Sequence, residues 1–206
     1  MGDCILIRHA ESAYNVAGLV NGDHALRVPL SARGVEQARA LRSELAHLEI
    51  DACVHTRFLR TVQTARLVLP RARRPRFVCE SLLDDIGCGD MEGWAVRDDH
   101  AWRAARPRDA RPPDGESVAE AARRIARGLR AVAMLPERFV AVVAHELVLR
   151  YALNGAAGSA DIARPWREVP NTRPFALDRA ALVRAADRID LSAASAWARA
   201  LPDNAG

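Results

Sequence analysis

Short apolar runs alternate along this chain with longer segments in which apolar positions recur every three to four residues. Short continuous apolar runs are typical of buried strands, whereas the longer periodic segments are typical of amphipathic helices. Strands are predicted over 5–7, 52–54, 77–79, 139–144, 175–177 and 181–183, the last two as edge strands. This alternation predicts an α/β fold, a three-layer α/β/α sandwich with a mostly parallel central sheet.

Capping residues mark where two of the helices begin. Ser31 precedes a periodic apolar pattern, and Ser117 with Glu120 forms a capping box that opens another helix. Further helices are predicted up to Pro70, over 94–105, over 147–153 with Gly155 beyond the end, and as a frayed segment at the end of the chain. The acidic and glycine-rich segment 84–93 is predicted as a loop over the end of the sheet.

Polar residues follow three of the predicted strands. Arg8 and His9 come directly after the first strand, Arg60 lies one turn into the helix after the second, and His145 follows 139–144. Ligands of open α/β sheets bind beyond the carboxyl ends of strands, where a guanidinium can hold phosphoryl oxygens and a neutral imidazole can attack phosphorus. The pattern predicts a phosphoryl-transfer pocket, although each residue alone is also consistent with a solvated strand end or a hydrogen-bonded histidine.

The composition narrows the class of function. All 30 basic residues are arginine, which excludes mechanisms that need a lysine Schiff base or a P-loop lysine. The net charge of +4 suits an anionic substrate, and the arginine-rich stretches 71–76 and 106–111 lack the interleaved aromatic residues of a nucleic-acid surface. We therefore expect a small-molecule phosphate ester as the partner, and no nucleic acid.

The chain carries no signal for a metal, a disulfide or a membrane. None of the six histidines stands at metal-ligand spacing, and the four cysteines lack CxxC spacing and are expected to be free thiols. The apolar run before Arg8 is too short for a secretory segment, and 139–144 is far too short to span a bilayer. We expect a single cytoplasmic domain over residues 1–206, with no metal, no cofactor and no membrane partner.

Six segments resemble, in the right order, the signature motifs of the histidine phosphatase, or phosphoglycerate mutase-like, superfamily. The segments are Arg8–Ser12, Pro29–Ala38, Arg60–Ala65, Gly89–Gly93, Gly115–Ser117 and Val142–His145. The resemblance covers most of the chain. It implies the phosphoglycerate mutase-like fold and a single histidine phosphatase domain.

The resemblance also implies roles for the matched residues. His9 would attack phosphorus in line and form a phosphohistidine intermediate. Arg8, Arg60 and a protonated or donating His145 would hold the equatorial oxygens of the phosphoryl group. Asn15 would add a neutral donor to substrate binding.

Three residues are candidates for the donor of the leaving-group proton. The family usually draws it from a glutamate four residues before the glycine at Gly89, and that position holds Asp85 here. Asp84 is the neighbouring alternative. Glu146 stands where the family usually has glycine; it is the rival donor, or else a favourable charge in the first turn of a helix.

A phosphomonoester hydrolase is the function that we predict. The chain resembles the shorter phosphatases. The phosphoglycerate mutases of the family tend to be longer, with inserted segments that close over the site and exclude water. A cofactor-dependent phosphoglycerate mutase and a catalytically silent phosphate-binding or regulatory domain are the alternatives. The segment 94–113 is expected to wall the pocket, with Trp102 and Arg103 as candidates to contact the substrate, while the natural substrate and the oligomeric state are left open.

Overall fold

A five-stranded sheet forms the centre of the computed structural model, which describes residues 3–69, 75–163 and 169–198. The strand order is β3-β2-β4-β1-β5. The strands are β1 (Cys4–Arg8), β2 (Ala52–His55), β3 (Arg76–Cys79), β4 (Val140–Ala144) and β5 (Pro174–Leu177). The first four are parallel to one another and β5 is antiparallel to β1, so the predicted mostly parallel sheet is confirmed.

Helices cover both faces of this sheet. They are α1 (Ala13–Ala17), α2 (Ala32–Glu44), α3 (Leu59–Val68), α4 (Val96–Ala104), α5 (Val118–Ala133), α6 (Glu146–Ala156) and α7 (Arg179–Ala198). Short 3-10 turns occupy Leu45–His47, Ser81–Leu83 and Gly89–Met91. Helices α2 and α3 contribute to the hydrophobic core on one face, and α5, α6 and α7 contribute to the core on the other.

The two central strands show why the sheet needs cover on both sides. Cys4 and Leu6 of β1 belong to the core beneath α5, α6 and α7, whereas Ile5 and Ile7 belong to the core beneath α2 and α3. Side chains of a strand alternate between the two faces of the sheet. A run that is apolar at every position therefore has to be buried on both faces, as the continuous pattern of 5–7 and 139–144 predicted.

Both predicted helix caps are present. The Ser31 hydroxyl accepts a hydrogen bond from the Gly34 N–H at 2.9 Å. The Ser117 hydroxyl accepts from the Glu120 N–H, while the Glu120 carboxylate accepts from the Ser117 N–H, which completes the capping box. These bonds satisfy N–H groups that the first turn of a helix cannot pair by itself.

Two secondary-structure predictions in the second half of the chain are wrong. Residues 181–183, predicted as an edge strand, lie in helix α7, where Leu182 packs against the core with no exposed surface. An apolar triplet is too short to distinguish a strand from one turn of a buried helix. Gly155, expected beyond the end of its helix, lies inside α6.

Two sequence predictions fall wholly or mostly on residues outside the described ranges. The predicted end of a helix at Pro70 and most of the basic stretch 71–76 lie outside the described residues.

Within the described part of the chain, no helix is long and apolar enough to cross a membrane.

The strand order decides which polar strand ends meet. β4 lies between β1 and β2, so His145 after β4 is placed between His9 after β1 and Arg60 in the helix that follows β2. The loop after β1 is held close to the start of α2. A Cβ atom on Gly34 would lie 2.0 Å from the Glu11 carbonyl oxygen, so this close approach requires glycine.

Candidate active site

A cavity of about 550 Å³ opens beyond the carboxyl ends of β1, β2 and β4. Arg8, His9 and Arg60 line its inner end. Side chains of α1, α4 and α6 form its outer walls, together with the loop that carries Asp85. The position matches the general expectation for ligand sites in open α/β sheets.

His9 has one ring nitrogen engaged by the backbone and the other directed toward Arg60. The Nδ1 atom lies 2.8 Å from the Ala10 carbonyl oxygen, which can only accept, so Nδ1 carries the proton. The Nε2 atom is then the lone-pair nitrogen, and it accepts from the Arg60 Nε–H at 3.1 Å. Burial lowers the pKa of His9 well below its ordinary value, with further lowering by Arg60, so the ring is neutral and keeps its nucleophilic lone pair.

Arg60 connects the groups of the inner end. Its Nη2 group donates to Asp85 Oδ2 at 2.9 Å and to His145 Nδ1 at 3.1 Å. Its Nη1 group donates to the side-chain oxygen of Asn21, and the side chain is 5% exposed. Burial lowers the pKa of Arg60 and the neighbouring Asp85 raises it; the guanidinium stays charged because arginine begins so high.

Arg8 is less completely engaged than Arg60. Its Nη1 group donates to the Val169 carbonyl oxygen at 2.8 Å, but its buried Nε atom has no hydrogen-bond partner among the residues that the structure describes. Burial lowers the pKa of this guanidinium, while Glu146 and Asp85 act in the opposite direction. An unpaired buried N–H on a cation lining the cavity is suited to an anionic ligand.

His145 lies beneath the cavity instead of on its surface. The side chain is fully buried, its ring centre is 5.4 Å from that of His9, and the Phe58 ring packs edge-on against it. Burial lowers the pKa of His145 well below its ordinary value, and the cations Arg60, Arg124 and Arg8 lower it further. In the free protein His145 is therefore neutral, with Nδ1 accepting from Arg60.

The three candidate proton donors occupy different places. Asp85 lines the cavity, with Oδ2 bonded to Arg60 and 3.4 Å from His145 Nδ1. Asp84 is turned away from the cavity and accepts from the N–H and Nε of Arg57. Glu146 also lines the cavity, from the first residue of α6.

Of the other residues predicted to contact the substrate, Asn15 and Arg103 line the cavity and Trp102 does not. Asn15 lines the cavity, and its Oδ1 atom accepts from the Ser12 N–H, so the amide NH₂ group is the end suited to a ligand. Arg103 lines the cavity as well. Trp102 does not, and its ring instead stacks against Arg106.

Several motif residues bond the loop after β1 or the segment before α2 and do not line the cavity. Gln37 accepts from the Glu11 N–H, Gln63 from the Leu30 N–H and Thr64 from the Ala10 N–H, all at 2.9 to 3.0 Å. These bonds satisfy backbone donors that the loop cannot pair internally. Some of the residues that carry the family resemblance therefore support the backbone around His9, and others take part in the chemistry of the site.

Two residues of the inner end were not singled out from the sequence. Asn21 accepts from Arg60 and donates to Glu92, whose carboxylate also accepts from the Gly22 and Asp23 N–H groups. Thr56 contacts His145 from below. Glu92 lies in the motif segment Gly89–Gly93, and this segment is the only feature of the sequence that indicated a role for the loop that carries Asn21.

No group of three or more His, Cys, Asp or Glu side chains is placed to hold a metal ion among the residues that the structure describes. The four cysteines are free thiols, with Cys79 exposed and the others buried.

The geometry agrees with a comparison against known families. The model of the histidine phosphatase superfamily (branch 1) matches residues 4–180. The chain therefore belongs to the histidine phosphatase superfamily, and the family predicted from the motifs is confirmed.

Named relatives include both phosphatases and a mutase. The chain is 29% identical over 161 residues to the Proteus mirabilis protein named "Probable phosphoglycerate mutase GpmB", covering 74% of each. It is 30% identical over 157 residues to the adenosylcobalamin/alpha-ribazole phosphatase of Salmonella typhi, covering 70% of this chain and 74% of that protein. The crystal structure of the alpha-ribazole phosphatase of Shigella flexneri matches with a TM-score of 0.68 at 29% identity, covering 76% of this chain and 80% of that one.

Proposed function

We propose that this protein is a phosphomonoester hydrolase that acts on a small phosphorylated metabolite through a phosphohistidine at His9. One observation carries the proposal: the bond from His9 Nδ1 to the Ala10 carbonyl leaves the Nε2 lone pair of a neutral imidazole beside two arginines of the cavity. A fixed, neutral nucleophile next to cations is the arrangement that in-line attack on phosphorus needs.

In the first step, the His9 Nε2–P bond forms while the P–O bond to the alcohol breaks. The Arg60 Nε–H occupies the Nε2 lone pair in the free protein. Substrate binding has to replace that bond with bonds from Arg60 to phosphoryl oxygens. Arg8, with its unpaired Nε–H, supplies a second cation to the charge that develops on the transferring group.

Asp85 is the residue that we propose as the proton donor to the leaving oxygen. When phosphoryl oxygens take over Arg60, Asp85 loses its cationic partner and gains anionic neighbours, an exchange that favours a protonated carboxyl group. In the second step, Asp85 takes a proton from water as the oxygen of that water attacks phosphorus. The Nε2–P bond breaks, and inorganic phosphate and neutral His9 are regenerated.

The outer end of the cavity favours an anionic substrate. Arg103, Arg108 and Arg150 line it together with apolar side chains such as Val20 and Leu147. Arg150 Nε forms an ion pair with Glu146 Oε1 at 3.4 Å, whereas the buried Arg103 Nη2 has no hydrogen-bond partner among the described residues. The Arg103 Nη2 group supports a phosphomonoester that bears a second anionic group on an otherwise partly apolar body.

The same outer cations support a phosphoglycerate mutase as the second candidate, in line with the name of the Proteus mirabilis relative. Incubation with 3-phosphoglycerate and a trace of the bisphosphate separates the two functions. Slow release of inorganic phosphate without 2-phosphoglycerate agrees with a hydrolase. Rapid formation of 2-phosphoglycerate would replace the hydrolase by the mutase.

Trapping of the intermediate tests the proposal directly. The protein is mixed with p-nitrophenyl phosphate without added metal and with a chelator, quenched during turnover, and examined for an acid-labile phosphate on His9 by mass spectrometry. We expect hydrolysis and the adduct, both abolished in His9→Ala. Absence of hydrolysis in the wild-type protein would instead indicate a catalytically silent domain, whereas turnover retained in His9→Ala would exclude the phosphohistidine mechanism.

A further inference from the structure

A chain of buried hydroxyl groups runs beneath His145. Thr56 Oγ1 lies 2.9 Å from His145 Nε2 and 2.9 Å from Thr61 Oγ1. All three side chains are fully buried. These hydroxyl groups do not reach the cavity, so they can affect the reaction only through His145.

The direction of each hydrogen bond in this chain follows from its far end. The Thr61 hydroxyl donates to the Phe58 carbonyl oxygen at 2.9 Å, and a carbonyl oxygen can only accept. Thr61 Oγ1 also lies 3.2 Å from the Thr56 carbonyl oxygen, and these two carbonyl acceptors favour a Thr61 proton directed away from Thr56 Oγ1. Thr61 Oγ1 then accepts the proton of Thr56, which leaves Thr56 Oγ1 as an acceptor and favours a proton on His145 Nε2.

The opposite side of the imidazole gives the same answer independently. Arg60 Nη2 lies 3.1 Å from His145 Nδ1, and a guanidinium nitrogen can only donate. A lone pair on Nδ1 can accept from this group, which also faces Asp85 Oδ2 at 2.9 Å and the Asn21 carbonyl oxygen at 3.2 Å, while Asp85 Oδ2 lies 3.4 Å from Nδ1. The contacts on the two sides of the ring together favour one tautomer, with the proton on Nε2.

We propose that Thr56 is a positioning residue: with Thr61 it holds His145 in the Nε2–H tautomer, so that Nδ1 acts as an acceptor that orients Arg60 beside His9. The inference rests on the proposed function, because Arg60 is the cation that we assign to the phosphoryl oxygens. It also changes the role that the family resemblance implied. His145 can donate from Nδ1 to a phosphoryl oxygen only after it gains a proton from solvent or from a monoanionic phosphate ester.

A hydroxyl group is well suited to this position. Thr56 can accept from Nε2–H both when His145 is neutral and when it is a transient imidazolium, and it carries no charge that would pair with Arg60. Valine has nearly the same shape but no acceptor. In Thr56→Val the Nε2–H would be buried without a partner, a situation that native structures avoid.

The tautomer can be measured directly by ¹⁵N NMR of histidine-labelled protein, with the His145 signals identified by their loss in His145→Gln. In the free wild-type protein at neutral pH we expect the proton on Nε2 and an unprotonated Nδ1. We expect the same pattern in Thr56→Ser and its loss in Thr56→Val. A wild-type protein with the proton on Nδ1 would overturn the inference, whatever the activity of the protein.

Kinetics supply the second measurement. Thr56→Val should lower kcat/KM for p-nitrophenyl phosphate by roughly 10- to 100-fold, and Thr56→Ser should restore most of it. Circular dichroism and gel filtration show whether each variant is folded; if Thr56→Val is not, the wild-type and Thr56→Ser spectra still decide the tautomer. A folded Thr56→Val with an unchanged spectrum and unchanged kcat/KM would contradict the positioning role. Failure of the proposed function is distinct, since it would appear as an inactive wild-type protein.

Discussion

The two ends of the cavity hold their arginines in different ways. At the inner end, Arg60 is buried and bonded to His9, Asn21, Asp85 and His145. At the outer end, Arg108 and Arg150 are partly exposed and form long ion pairs with Asp161 and Glu146, at 3.3 and 3.4 Å. Arg103 keeps a buried Nη2 atom without a hydrogen-bond partner among the described residues. The comparison teaches that the inner end is organised before a ligand arrives, whereas the outer end keeps donors for one.

This difference has a physical consequence for how function divides over the molecule. Groups fixed by one another need no reorganisation when charge develops on the phosphoryl group, which is the condition for electrostatic catalysis. Donors left unpaired gain most from a ligand that pairs them. We therefore infer that the inner end sets the chemistry and the outer end selects the substrate.

The largest expected effect tests the inner end through Arg60. Arg60→Ala should lower kcat/KM for p-nitrophenyl phosphate by about 10²–10³-fold, since it removes a preorganised donor to the phosphoryl oxygens. Arg66→Ala is the matched control, because Arg66 lies on the same helix α3 but is exposed. Similar losses in both variants would show that the effect is a general one on α3.

Asp85 is expected to give the next largest effect, and one that depends on the leaving group. Asp85→Asn should lower kcat on alkyl phosphates by about 10²-fold, and much less on p-nitrophenyl phosphate, whose leaving group needs no proton. Asp84→Asn and Glu146→Gln are assayed beside it. Equal losses on both substrates would count against Asp85 as the donor, and a leaving-group dependence in Glu146→Gln would transfer the role to Glu146.

At the outer end, Arg103→Met should change substrate selection and not chemistry. We expect KM for a phosphomonoester with a second anionic group, such as 3-phosphoglycerate, to rise by roughly tenfold, the value of one hydrogen bond to a charged group. The constants for p-nitrophenyl phosphate should hardly change. Arg106→Met provides the control, since Arg106 stacks on Trp102 and does not line the cavity; a uniform fall in kcat for both esters would refute the division between the two ends.

The smallest effect concerns stability against pH. Burial, the largest cause, lowers the pKa of His9 and His145 well below 6.5 in the folded protein, so below about pH 6.5 the unfolded chain binds more protons than the folded one. Stability is therefore full above that pH and falls as the pH drops further, by up to about 1.4 kcal/mol per pH unit for each histidine. Urea unfolding at pH 7.5, 6.5 and 5.5 measures this slope.

Two variants test whether the inner end of the cavity causes this fall of stability at low pH. His9→Gln should make the decline between pH 6.5 and 5.5 shallower, whereas His47→Gln, at an exposed position, should leave it unchanged. A decline that is the same in all three proteins would place its origin outside the inner end.

Much of the inner end was predictable because it depends on local sequence. An apolar run followed at once by Arg8-His9, and another followed by His145, predict buried parallel strands with polar ends. Parallel strands bring their carboxyl ends to one edge of the sheet, so these side chains had to lie near each other. The caps at Ser31 and Ser117 were predictable for the same reason, since a helix start is decided within four residues.

Other features needed the tertiary structure. Nothing near Asn21 in the sequence indicates its bond to Arg60, because that contact forms only when the loop after α1 is folded against α3 and held by Glu92. Residues 181–183 form a helix because Leu182 and the apolar positions that follow it pack against the core beside α5 and α6. Arg103 faces the cavity while Trp102 does not, a choice set by how α4 is rotated over the site.

The sequence by itself determined which segments are buried strands and helices, and which reactive side chains stand at their ends. The tertiary structure alone decided which nitrogen of each histidine is free, which carboxylate enters the cavity and which arginines keep unpaired donors. Periodicity and capping are short-range properties that a sequence displays directly. Hydrogen-bond partners across the cavity come from segments far apart in the chain, and their identity is fixed only when packing brings those segments together.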